Sequence, residues 1–90
     1  MLKDIVTVQP LEGYKLHLCF EDEVEGIVDL SQLITFQGVF KPLQSRAFFL
    51  QVCVDPELGT IAWPNGADLD PDVLYGEIIG KPAHHLLAAS

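Results

Sequence analysis

The chain has 90 residues, of which 49% are hydrophobic and 20% are charged, and its net charge is −8. This length allows one domain with a single modest core, and the composition excludes an intrinsically disordered chain. The basic residues number only 5 and are scattered along the sequence, so we expect no direct binding to nucleic-acid phosphates.

We expect neither a signal peptide nor a membrane-spanning segment from this sequence. No apolar run approaches the roughly 18 residues that a membrane span requires, and the N-terminus lacks the apolar core of a signal peptide. We therefore expect a cytoplasmic protein without membrane contacts. The two cysteines, Cys19 and Cys53, do not have the number or spacing of a disulfide framework or a metal site.

The first third of the chain is rich in predicted strands. Asp4–Val8 is rich in β-branched residues. Tyr14–Phe20 alternates strictly between apolar and polar side chains, which is typical of a half-buried strand. We expect Val24–Leu30 to pair with it as a hairpin, although the connection Glu21-Asp22-Glu23 lacks the glycine that a primed turn prefers.

The middle of the chain predicts a fourth strand after an irregular segment. Gly38 and Lys41-Pro42-Leu43 indicate turns. Ala47–Val54 alternates again, and we predict that it forms a strand of the same sheet. A short loop then leads to a last strand over Thr60–Trp63. The inner face of the fourth strand would carry Phe48, Leu50, Val52 and Val54.

The chain is organised around the stretch Gly59–Tyr75. Pro64 pushes Trp63 towards extended dihedral angles, so a strand can end there. Pro64 also suits the first corner of a type I turn, with Asn65 and Gly66 following it.

The same stretch then contains the start of a helix. Asp70 has the position of an N-cap, and Pro71 has that of the first helical residue, where a missing N–H costs nothing. Gly80 and Pro82 are expected to end the helix. We therefore predict one long helix, over Pro71–Ile79.

These elements predict an α+β fold. It would contain a mostly antiparallel sheet of about five strands, with one C-terminal helix packed on the apolar face. Residues 1–82 would form a single domain, and residues 83–90 a flexible tail.

Three acids at the helix start resemble the opening of a calcium-binding loop. Asp68, Asp70 and Asp72 have the required spacing, but the glycine and the bidentate glutamate of such a loop are missing. Helix capping explains these acids better.

No other pattern predicts an enzyme, a cofactor or a metal site. His17 and Cys19 lie two residues apart on the outer face of a predicted strand, but no oriented third group is visible. His84 and His85 are adjacent, a spacing that does not converge on one side of a helix. The sequence also lacks a glycine-rich phosphate loop, a nucleophile elbow and zinc-ligand spacing.

Over roughly residues 2–79 the chain resembles the bacterial family called domain of unknown function twenty-four forty-two. The resemblance rests on Val28-Asp29-Leu30, Gly38–Leu43, Phe49–Val54 and, most of all, Gly59–Asp70. The family implies a small α+β fold and no established activity. Within the last of these motifs we expect an interaction or structural role for Trp63, Pro64, Asn65, Gly66, Asp68 and Asp70. Where the family usually has an Asp-Gly turn, this chain has Asp22-Glu23.

The resemblance also carries two functional associations. Some relatives append a helix-turn-helix DNA-binding domain, for which the residues after Pro82 are too few. Others are encoded beside small toxin-like proteins. We therefore expect a non-enzymatic protein-interaction module. A more specific form of this hypothesis is that the module is antitoxin-like.

The negative charge favours a basic protein as the partner. A homodimer through an edge strand is the alternative partner arrangement. The alternative function is a ligand-sensing or transcription-regulatory domain that acts with a DNA-binding unit on another chain.

Overall fold

The computed structural model describes the backbone of residues 3–89 and the side chains of residues 3–80. The fold is α+β, as predicted, with five antiparallel strands and a C-terminal helix. The strands are divided between a three-stranded and a two-stranded sheet, so the expectation of one continuous sheet was wrong.

The three-stranded sheet confirms the strands predicted in the first third of the chain. It contains β1 (Ile5–Pro10), β2 (Lys15–Phe20) and β3 (Glu25–Asp29) in that order. The alternation in β2 is observed as expected, because its apolar residues are buried and the residues between them are on the other face. The buried residues of β2 are Leu16, Leu18 and Phe20.

The prediction of a strand over Ala47–Val54 was mostly wrong. Only its end is extended, as β4 (Cys53–Asp55), which pairs with β5 (Thr60–Ala62). Before it, Gly38–Gln44 forms a 3-10 helix and Arg46–Phe49 forms the single helical turn α1.

Aromatic packing explains this difference. The helical turn buries Phe49 completely and leaves the predicted inner residue Leu50 48% exposed. The Phe49 ring packs edge-on against Tyr14 at 5.5 Å. An aromatic contact to Tyr14, the residue before β2, therefore outweighs the local strand pattern.

The helix α2 (Pro71–Ala89) begins where the sequence predicts but continues past its predicted end. Gly80 and Pro82 were expected to stop it. A proline removes only its own N–H bond and can bend a helix instead of ending it. The single domain over residues 1–82 and the flexible tail over residues 83–90 stay predictions.

The core lies between the inner face of the three-stranded sheet, the β4–β5 hairpin and α2. The helix approaches β3 closely at Gly26, where a Cβ atom would lie 2.6 Å from Cγ2 of Ile78. The outer face of the β2–β3 hairpin points away from this helix. The fully buried side chains include Leu16, Leu18, Val28, Leu30, Leu43, Phe49 and Ile61.

Candidate functional site

The motif Trp63-Pro64-Asn65-Gly66 forms a turn, as predicted. The Gly66 N–H donates to the Trp63 carbonyl at 3.0 Å, which places Pro64 and Asn65 at the two corners. The Trp63 N–H then donates to the Ala67 carbonyl at 2.9 Å. Gly66 has a φ of 91°, a backbone conformation that glycine adopts without strain.

Two side chains of this motif bind the irregular middle of the chain. The Trp63 indole N–H donates to the Phe49 carbonyl at 3.1 Å, and the side chain is buried. The Asn65 amide donates to the Val39 carbonyl at 2.9 Å, while its oxygen accepts from the Ala67 N–H at 3.1 Å. Both side chains therefore hold the β4–β5 hairpin against the segment that contains the 3-10 helix and α1.

The three acids after the motif act separately in the structure. Asp70 is the N-cap of α2, because its carboxylate accepts from the Asp72 N–H at 2.9 Å. Asp68 is exposed, and its backbone bridges to Ala62. Within residues 3–80, these three acids do not form a group that could hold a metal ion.

Several exposed acids gather at one end of the molecule, where the β2–β3 turn meets the start of β1. We call Asp4, Glu21, Glu23 and Glu57 the acidic end. Asp4 and Glu21 are adjacent, because the Glu21 N–H donates to the Asp4 carbonyl at 2.9 Å and the Glu21 carboxylate accepts from the Asp4 N–H at 3.1 Å. Both also line a cleft of about 270 Å³ whose other wall includes Pro56, next to Glu57.

A hydrogen bond joins α2 to the β2–β3 turn. The Tyr75 hydroxyl donates to the Asp22 carboxylate at 2.6 Å. This bond holds the pKa of Asp22 below its usual value, with a smaller contribution from Lys3. The same bond, together with burial, raises the pKa of Tyr75.

The outer face of the β2–β3 hairpin brings together three side chains that can bind metals. His17 Nε2 lies 2.8 Å from Glu25 Oε1. One ligand atom from each of His17, Cys19 and Glu25 lies within 4.8 Å of the other two. Glu25 is the third group that the sequence did not reveal. The signal that could have identified it is the strand register, which pairs Cys19 with Glu25.

Arg46 is a second residue whose role the sequence did not indicate. Its guanidinium donates to the Leu11 carbonyl at 2.6 Å and to the Gly13 carbonyl, and it lies over the Phe49 ring. It therefore fastens α1 to the β1–β2 turn, at the opposite end of β2 from Glu21. The adjoining cleft has a volume of about 280 Å³.

No helix within the described residues combines the length and apolar character needed to cross a membrane.

The comparisons with known proteins identify a family without a described activity. No curated protein and no solved structure matches the chain. One family model matches residues 5–80, and its description is "Protein of unknown function (DUF2442)". The match covers most of the chain and includes β1 to β5 and the first half of α2. The chain is therefore a member of the DUF2442 family, the family called domain of unknown function twenty-four forty-two above.

Proposed function

We propose that this protein is a non-enzymatic interaction module whose acidic end binds a basic protein. The observation that carries the proposal is the separation of charge along β2. The exposed acids of the acidic end surround the turn after Phe20, with Lys3 beside them, whereas the exposed cations Lys15 and Arg46 lie near the other end of the strand. A strand of 6 residues spans roughly 20 Å.

This separation determines which partner the acidic end attracts. The screening length is about 8 Å at physiological ionic strength, so charges roughly 20 Å away hardly weaken the field at the acidic end. A negative field steers cationic surfaces and raises their rate of association. The same field repels phosphates, which supports a protein partner over DNA or an anionic membrane.

The cleft between Asp4 and Pro56 offers a place for a basic side chain. Its walls include the acids Asp4 and Glu21, and the apolar residues Val6 and Val54. A lysine or arginine could lay its aliphatic stem along the apolar wall and direct its charge towards the carboxylates. More specifically, we propose that the partner is a small, basic, toxin-like protein and that this chain is the antitoxin-like member of the pair.

The test compares two single substitutions in exposed hairpin turns. Tagged protein from the native host would first identify the partner by mass spectrometry, and the association rate would then be measured with purified partner. We expect Glu23→Gln to slow association more than Glu12→Gln, because Glu12 lies near the β1–β2 turn, at the other end of the sheet. Both changes remove one negative charge, so net charge alone predicts equal effects.

Salt provides the second measurement. Raising the salt from 0.1 M to 1 M shortens the screening length from about 10 Å to about 3 Å, so association should slow markedly. A rate that is insensitive to salt and equal in both variants would contradict the proposal. Tight DNA binding by this chain alone would also contradict it.

A second candidate function is a ligand-sensing or regulatory domain that acts with a DNA-binding unit on another chain. The cleft beside Arg46 favours it, since Tyr14 and Arg46 provide an aromatic ring and a cation there, although the acid Glu12 also lines this cleft. Co-purification of a DNA-binding chain, with a complex stabilised by a small anionic ligand, would support this candidate over the first.

A further inference from the structure

We propose that His17, Cys19 and Glu25 form a zinc-binding site on the outer face of the three-stranded sheet. The three residues contribute an imidazole nitrogen, a thiol sulfur and a carboxylate oxygen. Their ligand atoms lie within 4.8 Å of one another, and within residues 3–80 no other such group is present. The site shares no residue with the acidic end and does not depend on the proposed function.

The sheet geometry brings these side chains together. His17 and Cys19 are two residues apart on β2, so both side chains project from the same face. Glu25 on β3 pairs directly with Cys19 and is diagonal to His17. Directly opposed residues have Cβ atoms about 5 Å apart, and diagonal neighbours remain within reach of long side chains.

Packing on the inner face fixes this arrangement. Leu16 and Leu18 of β2 are fully buried. A slip of one residue would bring His17 and Cys19 into the core and these leucines to the solvent. The contact between Gly26 and Ile78 of α2 holds β3 in place as well. The three ligands therefore stand on a backbone that the core holds in register.

The distances suit a small tetrahedral ion after modest side-chain rotation. Zinc binds nitrogen and oxygen at about 2.0–2.2 Å and sulfur at about 2.3 Å, which places the ligand atoms roughly 3.3–3.8 Å apart. The widest separation therefore has to shrink by about 1 Å. Side chains at this site can rotate to do so, because that of His17 is 30% exposed and that of Glu25 is 63% exposed.

The chemistry of the three groups favours zinc over Mg²⁺ and Ca²⁺. Thiolate and imidazole are poor ligands for Mg²⁺ and Ca²⁺ but good ones for Zn²⁺. On binding, the Cys19 thiol would release its proton to solvent, and neutral His17 would carry its proton on Nδ1 and bind through Nε2. Glu25 would exchange its hydrogen bond with His17 for the metal. Water would take the fourth position, since the face is open to solvent.

The experiment is a titration of the reduced, metal-free full chain with Co²⁺, followed by Zn²⁺. We expect one equivalent of Co²⁺ to produce a near-ultraviolet thiolate-to-cobalt absorption band, and Zn²⁺ to abolish it by displacement. Cys19→Ser should remove the band. His17→Gln and Glu25→Gln should each weaken Zn²⁺ binding by at least roughly 10-fold to 100-fold. Losses of that size follow the mutation of residues that only hydrogen-bond to a metal ligand, and the loss of a direct ligand should be no smaller.

Two matched controls identify the site. Cys53→Ser removes the other free thiol, which lies on β4 outside the cluster, and should leave the band unchanged. The double substitution His84→Asn and His85→Asn should also leave it unchanged. Circular dichroism of every variant would verify the fold.

Each contrary outcome overturns the proposal. Absence of saturable binding to the folded wild-type chain would do so, and so would a band that survives Cys19→Ser. A band lost with Cys53→Ser, or with the histidine pair, would assign the metal elsewhere. Unchanged affinity in Glu25→Gln would remove Glu25 from the site and leave only two ligands.

Discussion

Replacing Glu23 with glycine should stabilise the protein, because this residue has a backbone conformation that L-amino acids adopt only at a cost. Its φ is 73°, and the other residues with positive φ in the described chain are all glycines: Gly13, Gly38, Gly59 and Gly66. A non-glycine residue in this region costs about 1–2 kcal/mol. Glycine costs about 0.5–1 kcal/mol more backbone entropy on folding. The midpoints of these two ranges differ by about 0.75 kcal/mol, which is the expected gain in the free energy of unfolding.

The turn should otherwise be unaffected by this substitution. The Glu23 side chain is exposed, and the Glu23 N–H can still donate to the Phe20 carbonyl, a bond of 2.9 Å. Urea denaturation would measure the free energy of unfolding, and the midpoint of thermal unfolding should rise by roughly 2–8 °C.

Glu23→Ala is the matched control for charge. It removes the same carboxylate but retains a Cβ atom, so it should give little of the gain. Equal stability of the glycine and alanine variants would refute the conformational explanation and attribute any effect to the lost charge.

Three further predictions concern contacts of α2 and the Trp63 turn. Asp70→Ala should lower the free energy of unfolding by about 1 kcal/mol through loss of the cap, and Asp68→Ala should lower it clearly less, as chemical denaturation can show. Trp63→Phe should cost about 1 kcal/mol in the same assay, since the Phe49 carbonyl loses the indole donor and keeps only the longer bond of 3.3 Å from the Val52 N–H; a cost near zero would mean that water replaces the indole. Tyr75→Phe should lower the free energy of unfolding at pH 7. This loss relative to wild type should shrink below pH 3.8, where Asp22 becomes protonated, and above pH 10.0, where Tyr75 ionises. A difference that is constant from pH 3 to pH 11 would contradict the role of this bond.

The start of α2 and the strand β2 were predictable because their signals are local. Asp70 and Pro71 act on the first turn of the helix itself, and the cap is observed as expected. The alternation over Tyr14–Phe20 requires only a sheet with one buried face, and the three-stranded sheet has such a face. Such signals do not depend on the rest of the chain.

The segment Ala47–Val54 could not be predicted in the same way. Its apolar alternation fits a strand, but a short apolar run fits a helical turn equally well. The outcome was decided by contacts from distant positions: the Tyr14 ring on Phe49 and the carbonyls that bind Arg46. Periodicity within a segment carries no information about these contacts.

The proposed zinc site shows a similar limit. The sequence places His17 and Cys19 on one face, but Glu25 joins them only because the β2–β3 loop has the length that sets this register. A loop of different length would place another residue opposite Cys19. The sequence left the type of this turn open, so it could not place Glu25 opposite Cys19.

The bonds from Trp63 and Asn65 also affect how the family can vary. Both side chains bind main-chain carbonyls, at Phe49 and Val39. Every residue has a main-chain carbonyl group, whatever its side chain. The residue at position 39, which is 46% exposed, can therefore be substituted without loss of this bond, whereas Asn65 cannot. We expect substitutions at positions 39 and 65 to be statistically independent among relatives, even though the two residues are in direct contact. Methods that infer contacts from correlated substitutions would therefore miss this one.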